Sequence, residues 1–150
     1  MSALGAARDQ MRTVPLAGCA ARPIRFVVAD APVDFVLAND IDVESIVADL
    51  ASYRSIALVF PKWADGRAYS QARLVRGRYR FAGEIRATGE VLVDMMPLLA
   101  RTGFDAVALR ADQSKEFAER ALSFFSDGHY QGDLIEPQPR FRRSDTEGSE

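Results

Sequence analysis

From Ser55 onward the chain alternates short apolar runs with amphipathic stretches, and this alternation restricts the fold more than any other feature. Ile56 to Phe60 is a continuous apolar run, too short for a helix and typical of a strand covered on both faces. Tyr69 to Tyr79 reads as a helix that ends before Phe81-Ala82-Gly83, and Glu84 to Ala87 reads as a second, weaker strand. Val91, Leu92, Met95, Leu98 and Leu99 then repeat at helical spacing, and Gly103 sits where a helix stops. Pro97 inside that pattern predicts a kink near Val93. Ala106 to Leu109 makes a third strand. Asp112 is the expected cap of the helix after it, with Phe117, Ala121, Phe124 and Phe125 facing the core. Strands linked through helices need crossovers, so the βαβαβα run from about 55 to 126 predicts an α/β fold with a mostly parallel sheet. Open sheet and partial barrel both fit that pattern.

The region before this run is short and β-rich. Ile24 to Val28 and Val33 to Leu37 are separated by Asp30-Ala31-Pro32, which favours a turn, so the two pair as a hairpin or cover a sheet edge. Asp42 caps a helical pattern carrying Val43, Ile46, Val47 and Leu50 on one face. Residues 1-23 read as a mobile amino-terminal segment, 24-135 as a single α/β domain, and 136-150, with two prolines, three arginines and small polar residues, as a disordered tail.

Nineteen basic against twenty-one acidic residues provide no global field for nucleic acid or anionic membrane, so neither is an expected partner. One cysteine, Cys19, excludes an internal disulfide and fits a reducing compartment, hence a cytoplasmic location. Cys19 and the single histidine, His129, form no metal-ligand pattern; no metal is expected, and both residues read as structural or surface groups. Leu16-Ala17-Gly18-Cys19 mimics a lipid-attachment box, but Arg8, Asp9, Gln10, Arg12 and Pro15 break the apolar stretch that such a signal needs.

Ligands of parallel α/β folds bind at the carboxyl ends of the strands. That rule selects the loop holding Lys62, Trp63, Asp65, Gly66, Arg67, Tyr69 and Ser70, a second holding Arg86, Thr88, Gly89 and Glu90, and a third holding Arg110 and Asp112. Lys62, Arg67 and Arg86 are expected to surround one hollow suited to a small anion, with Trp63, Asp65 and Ser70 beside them. Lys62, pressed between Phe60 and Trp63, is the candidate catalytic group, because desolvation lowers an amine's pKa and leaves it unprotonated, able to act as a base or nucleophile near neutral pH. The plainer reading makes Asp65-Gly66 a turn and helix cap in which Arg67 pairs with Asp65. Asp94, on the margin of its helix's apolar face, is expected to bridge to Arg73 or Arg86. No dinucleotide-binding, P-loop, nucleophile-elbow or paired-histidine signature is present, and no cofactor is identified.

The motifs Phe60-Pro61-Lys62-Trp63, Asp65-Gly66-Arg67, Tyr69-Ser70, Arg73-Leu74, Gly83-Glu84-Ile85-Arg86-Ala87, Gly89, Val91-Leu92, Asp94 and Gly103-Phe104-Asp105 stand in order over about half the chain. In this the sequence resembles a bacterial family of uncharacterised proteins labelled oxidoreductases of sulfite reduction and encoded beside assimilatory sulfite reductase. Pro97 and the first fifty residues depart from it. The resemblance implies an accessory role in sulfite reduction, with sulfite reductase as partner and a small oxyanion or an acidic partner surface bound by the Lys62–Ser70 loop. Two alternatives remain open: an oxidoreductase using a nicotinamide or flavin cofactor, and a non-catalytic structural module that forms a homodimer.

Overall fold

The structure is a computed structural model that describes residues 23–125 and 129–137. The amino-terminal segment before residue 23, with Cys19, lies outside the described residues. So does all of the expected tail except Glu136 and Pro137, and Glu136 donates its N–H to Asp133 Oδ1 at 2.7 Å.

Five strands form one parallel sheet: β1 (Arg25–Phe26), β2 (Phe35–Leu37), β3 (Ser55–Phe60), β4 (Glu84–Gly89) and β5 (Ala106–Val107), in the order β1-β5-β4-β3-β2. The sheet is open, so of the two architectures the sequence allowed, the barrel is not the one formed. β4 is as long as β3 and pairs with it along its whole length, Ser55 opposite Glu84 through Phe60 opposite Gly89. The segments expected as a hairpin instead occupy opposite edges, β1 against β5 and β2 against β3. Residues 27–34 join them, and the side chain of Arg86 donates to the Ala31 carbonyl at 2.8 Å on the way.

Three helices follow β3, β4 and β5: α1 (Arg67–Arg73), α2 (Met96–Thr102) and α3 (Lys115–Ser123). Strand order advances one way from β2 to β5, so right-handed crossovers place all the connecting elements on one face. Ile56, Leu58, Phe60, Ile85, Ala87 and Val107 point to that face, where they meet Ala68, Ala72, Val75, Met96, Leu99 and Ala118 in one core. Strand alternation sends Ala57, Arg86 and Ala106 to the other face. Phe60, fully buried, contributes about 1.5–3 kcal/mol by leaving water.

Several local expectations are revised. The pattern opened by Asp42 forms two 3-10 turns, Val43–Ile46 and Leu50–Ser52, and Asp42 does cap the first by accepting from Glu44 N–H. α1 begins at Arg67 and runs on as a π-helix over Leu74–Arg78. The wider turn lets the neighbours Val75 and Arg76 both be buried, one in the core and one among loops. Pro97 causes no kink, because a 3-10 turn takes Val93–Met95 and the proline falls in the first turn of α2, where its missing N–H costs nothing. Ser114 occupies the N-cap of α3, while Asp112 pairs with Arg110. Ala118 faces the core; Phe117, Phe124 and Phe125 are 58%, 67% and 50% exposed. The expected inward phenylalanine face is therefore an outward one; Ala118, Ala121 and Leu122 pack on the core instead, so only Ala121 of the residues expected inward lies there.

Candidate functional site

Parallel strands bring four carboxyl ends to one rim: Asn39 follows β2, the turn of residues 61–66 follows β3, Glu90 follows β4, and Arg110 and Asp112 follow β5. Backbone bonds knit these loops together. Glu90 N–H donates to Phe60 O at 2.8 Å, and Arg110 N–H to Val91 O at 3.0 Å. Gly89 permits the first contact, since at φ 95° a Cβ there would stand 2.4 Å from Phe60 O.

In the turn after β3, Asp65 N–H donates to Lys62 O at 3.0 Å and closes the backbone ahead of α1. The Asp65 carboxylate accepts from Arg67 N–H at 3.1 Å, from Arg67 Nε at 3.0 Å, from Arg67 Nη2 at 2.7 Å and from Asn39 Nδ2 at 2.8 Å. The plainer reading, a turn and cap with Arg67 paired to Asp65, is the geometry found. Hydrogen bonds from the Arg67 side chain and backbone hold the Asp65 carboxyl well below the usual carboxylate range, and the same pairing raises the Arg67 guanidinium. Lys62 is exposed and its side chain makes no hydrogen bond or ion pair among the described residues. It is not pressed between aromatic rings, because Phe60 is fully buried while Trp63 is 59% exposed. Ser70 is exposed on α1.

Arg86 does not join this group. It lies within β4 on the opposite face of the sheet, 6% exposed, with Nε and Nη2 donating to Glu84 Oε1 at 2.9 and 2.7 Å. Glu84 also pairs with Arg25. The expected hollow of three converging cations is thus not formed: one is free, one is held by its own turn, and one is buried elsewhere. The reason is register. Arg86 is the third residue of a six-residue strand, not a residue of the loop after it. Asp94 is exposed and bridges to neither Arg73 nor Arg86 among the described residues.

A second charged group joins the loops after β4 and β5, where the sequence offered Arg110 as loop content and Asp112 as a helix cap. Arg110 Nη1 meets Glu90 Oε2 at 2.8 Å, and its Nε and Nη2 meet Asp112 at 2.6 and 2.7 Å. These bonds raise the Arg110 guanidinium, and the Arg110 side chain lowers the Asp112 carboxyl to about 2. Along the rim, Asp65, Glu90 and Asp112 thus balance Lys62, Arg67 and Arg110, leaving no net positive field.

Two polar anchors beneath the rim were missed. Gln71 on α1, 5% exposed, donates to Ala38 O at 2.8 Å and Ile41 O at 2.9 Å, fastening the loop after β2; Asn39 fastens the same loop to Asp65. Their only sequence signal was position, a polar residue just after a strand and another inside an apolar helix stripe. At the opposite end of the sheet Arg76 and Asp105 form a buried pair; Arg76 also donates to the carbonyls of Phe81, Gly83 and Gly103.

His129 lies against Phe125, ring centroids 4.6 Å apart and planes tilted by 32°. Among the described residues, no group of three or more His, Cys, Asp or Glu could hold a metal ion, and no helix is long and apolar enough to cross a membrane. Tyr69 packs edge-on against Phe60 and Phe104, and burial pushes its phenol up to about 12. A hollow of about 650 Å³ lies away from the rim, beside β1, lined by Phe26, Ala100, Lys115 and Leu122 among others.

No curated protein and no solved structure matches the chain. One family model does, over residues 34–141, a span that takes in the sheet from β2 to β5, the three helices and every group on the rim. The chain belongs to the bacterial protein family of unknown function DUF934.

Proposed function

We propose that this is an accessory protein of assimilatory sulfite reduction that docks on an acidic surface of a partner enzyme through the Lys62–Ser70 turn. The carrying observation is Lys62 with Trp63: an unpaired ammonium beside a 59% exposed indole, on a turn stiffened by the Asp65–Arg67 and Asp65–Asn39 bonds. Exposed tryptophan on a rigid support supplies contact area at little entropic cost, and tryptophan is among the residues that dominate binding energies. A free lysine beside it steers toward carboxylates. The rim's balanced charge and the engagement of Arg67 favour a protein surface over a small oxyanion. The choice of partner rests on the resemblance of the Phe60–Ser70 motif to proteins encoded beside sulfite reductase.

The test is a binding measurement between the purified chain and assimilatory sulfite reductase. Wild type should bind with an affinity that falls as salt rises, and Trp63→Ala should weaken binding roughly thirtyfold, with a smaller loss in Lys62→Glu. Absence of binding, or binding untouched by both substitutions, sinks the reading. Calorimetry with sulfite should show no heat; saturable heat lost in Arg67→Ala would restore the oxyanion version.

A further inference from the structure

Residues 131–137 form a closed turn at the amino end of the sheet. Asp133 N–H donates to Glu136 O at 2.9 Å, and Asp133 Oδ1 accepts from the N–H groups of Ile135 and Glu136 at 2.8 and 2.7 Å. Arg101 on α2 fastens this turn from outside, its Nε donating to Asp133 Oδ2 at 3.1 Å and its Nη2 to Gln131 O at 3.3 Å. Leu134, half-buried, fills a notch that two glycines leave open. A Cβ on Gly77 would stand 3.0 Å from Leu134 Cδ1, and one on Gly103 would stand 3.0 Å from both Leu134 Cδ2 and Arg76 Cβ. Beside the notch Arg76 is 5% exposed, donating to Gly103 O and paired with Asp105, whose carboxylate also accepts from Ile85 N–H at 2.9 Å.

We propose that this turn is a latch: it docks and undocks as a unit while the sheet stays folded, and each undocking admits water to the buried Arg76–Asp105 pair. Two observations carry this. The bonds among Asp133, Ile135 and Glu136 lie within the turn and survive undocking, so the turn moves as one piece. Undocking breaks the Leu134 contact and the two bonds to Arg101, whose side chain is 26% exposed and takes water in exchange. Such an opening takes far less free energy than unfolding the core around Ile56, Leu58 and Leu99. The second observation is the shared wall: Leu134 and the Arg76 stem both crowd Gly103, so the leucine is the plug beside the arginine. A buried charge gains hydration when a path to water opens, which couples the turn's departure to wetting of the pair. The turn is therefore a two-state element that ties the carboxyl-terminal part of the chain to the entries of β4 and β5.

Native-state hydrogen exchange of the full chain, read proton by proton by NMR, tests this. Two reporters sit at the pair: Arg76 Nε–H, bonded to Gly103 O, and Ile85 N–H, bonded to Asp105 Oδ2. The amide of the fully buried Leu58 reports the core. Both reporters should be protected at least roughly tenfold less than Leu58, because they exchange through the latch and not through unfolding. Leu134→Ala should speed both roughly tenfold. Ile56→Val, a small core truncation, should speed Leu58 roughly three- to tenfold and leave both reporters unchanged, since Ile56 stays packed when the latch opens. Reporters that follow Leu58 in Ile56→Val would make the turn part of one cooperative unit and overturn the proposal. Reporters that ignore Leu134→Ala overturn it as well, because the plug would then not govern access to the pair.

Discussion

Two arginine–carboxylate pairs sit at opposite ends of the same sheet and do opposite work. At the amino end, Arg76 and Asp105 have side chains only 6% and 12% exposed, and Arg76 also donates to three carbonyls of the loops entering β4 and β5. At the carboxyl end, Arg67 is 60% exposed and Asp65 21%, and their bonds close one surface turn. A buried charge must be fully partnered, so the first pair has no freedom and serves as a fastener. Water competes for the second, which shapes a surface without holding the fold together.

Substitution should separate the two sharply. Arg76→Met takes the paired cation from the buried Asp105 carboxylate and removes the donor from the carbonyls of Phe81, Gly83 and Gly103; unfolding in urea should show a loss of about 3–5 kcal/mol. A loss under about 1 kcal/mol would erase the contrast. Asp65→Asn should move the urea midpoint far less than Arg76→Met does, because the exposed Arg67 is solvated when released.

Acid should reveal the smallest effect. The Asp65 and Asp112 carboxyls are both depressed by arginine, so each favours the folded state above the unfolded value of about 3.9, and that contribution is lost as pH falls through the folded values. Carboxyl NMR should find both ionised at pH about 4, with Asp112 taking up its proton near 2. Titration of either near 3.9 would mean that the rim pairs do not persist in solution.

The strand and helix succession from Ser55 onward was legible because each strand there buries a run such as Ile56–Phe60 against helices, and local pattern reports local burial. The placement of β1 and β2 was not, because residues 24–37 pair only with strands far along the chain, and a turn-rich linker reads alike whether it closes a hairpin or crosses a sheet. The Lys62–Ser70 turn was found from its position after a strand. Arg86 was grouped with the loop after β4 although it falls inside the Glu84–Ala87 strand read from the same sequence; its guanidinium is satisfied by Glu84 and Ala31, partners that local pattern does not reveal. The phenylalanines on and just after α3 misled for the opposite reason: large apolar residues imply a core, but the helix rests on Ala118, Ala121 and Leu122, so of the residues expected to face inward only Ala121 does.

The link between β1 and β2 has a mechanical consequence. Crossing from one margin of a five-stranded sheet to the other covers four strand spacings, about 19 Å, before any travel along the strands, and the nine steps from Phe26 to Phe35 reach about 30 Å at full stretch. A bend where Ala31 N–H meets Val28 O consumes part of the difference. The cord is nearly tight and is riveted midway by Arg86, so neither margin can peel away without tugging the other, and the two short outer strands hold or fail together.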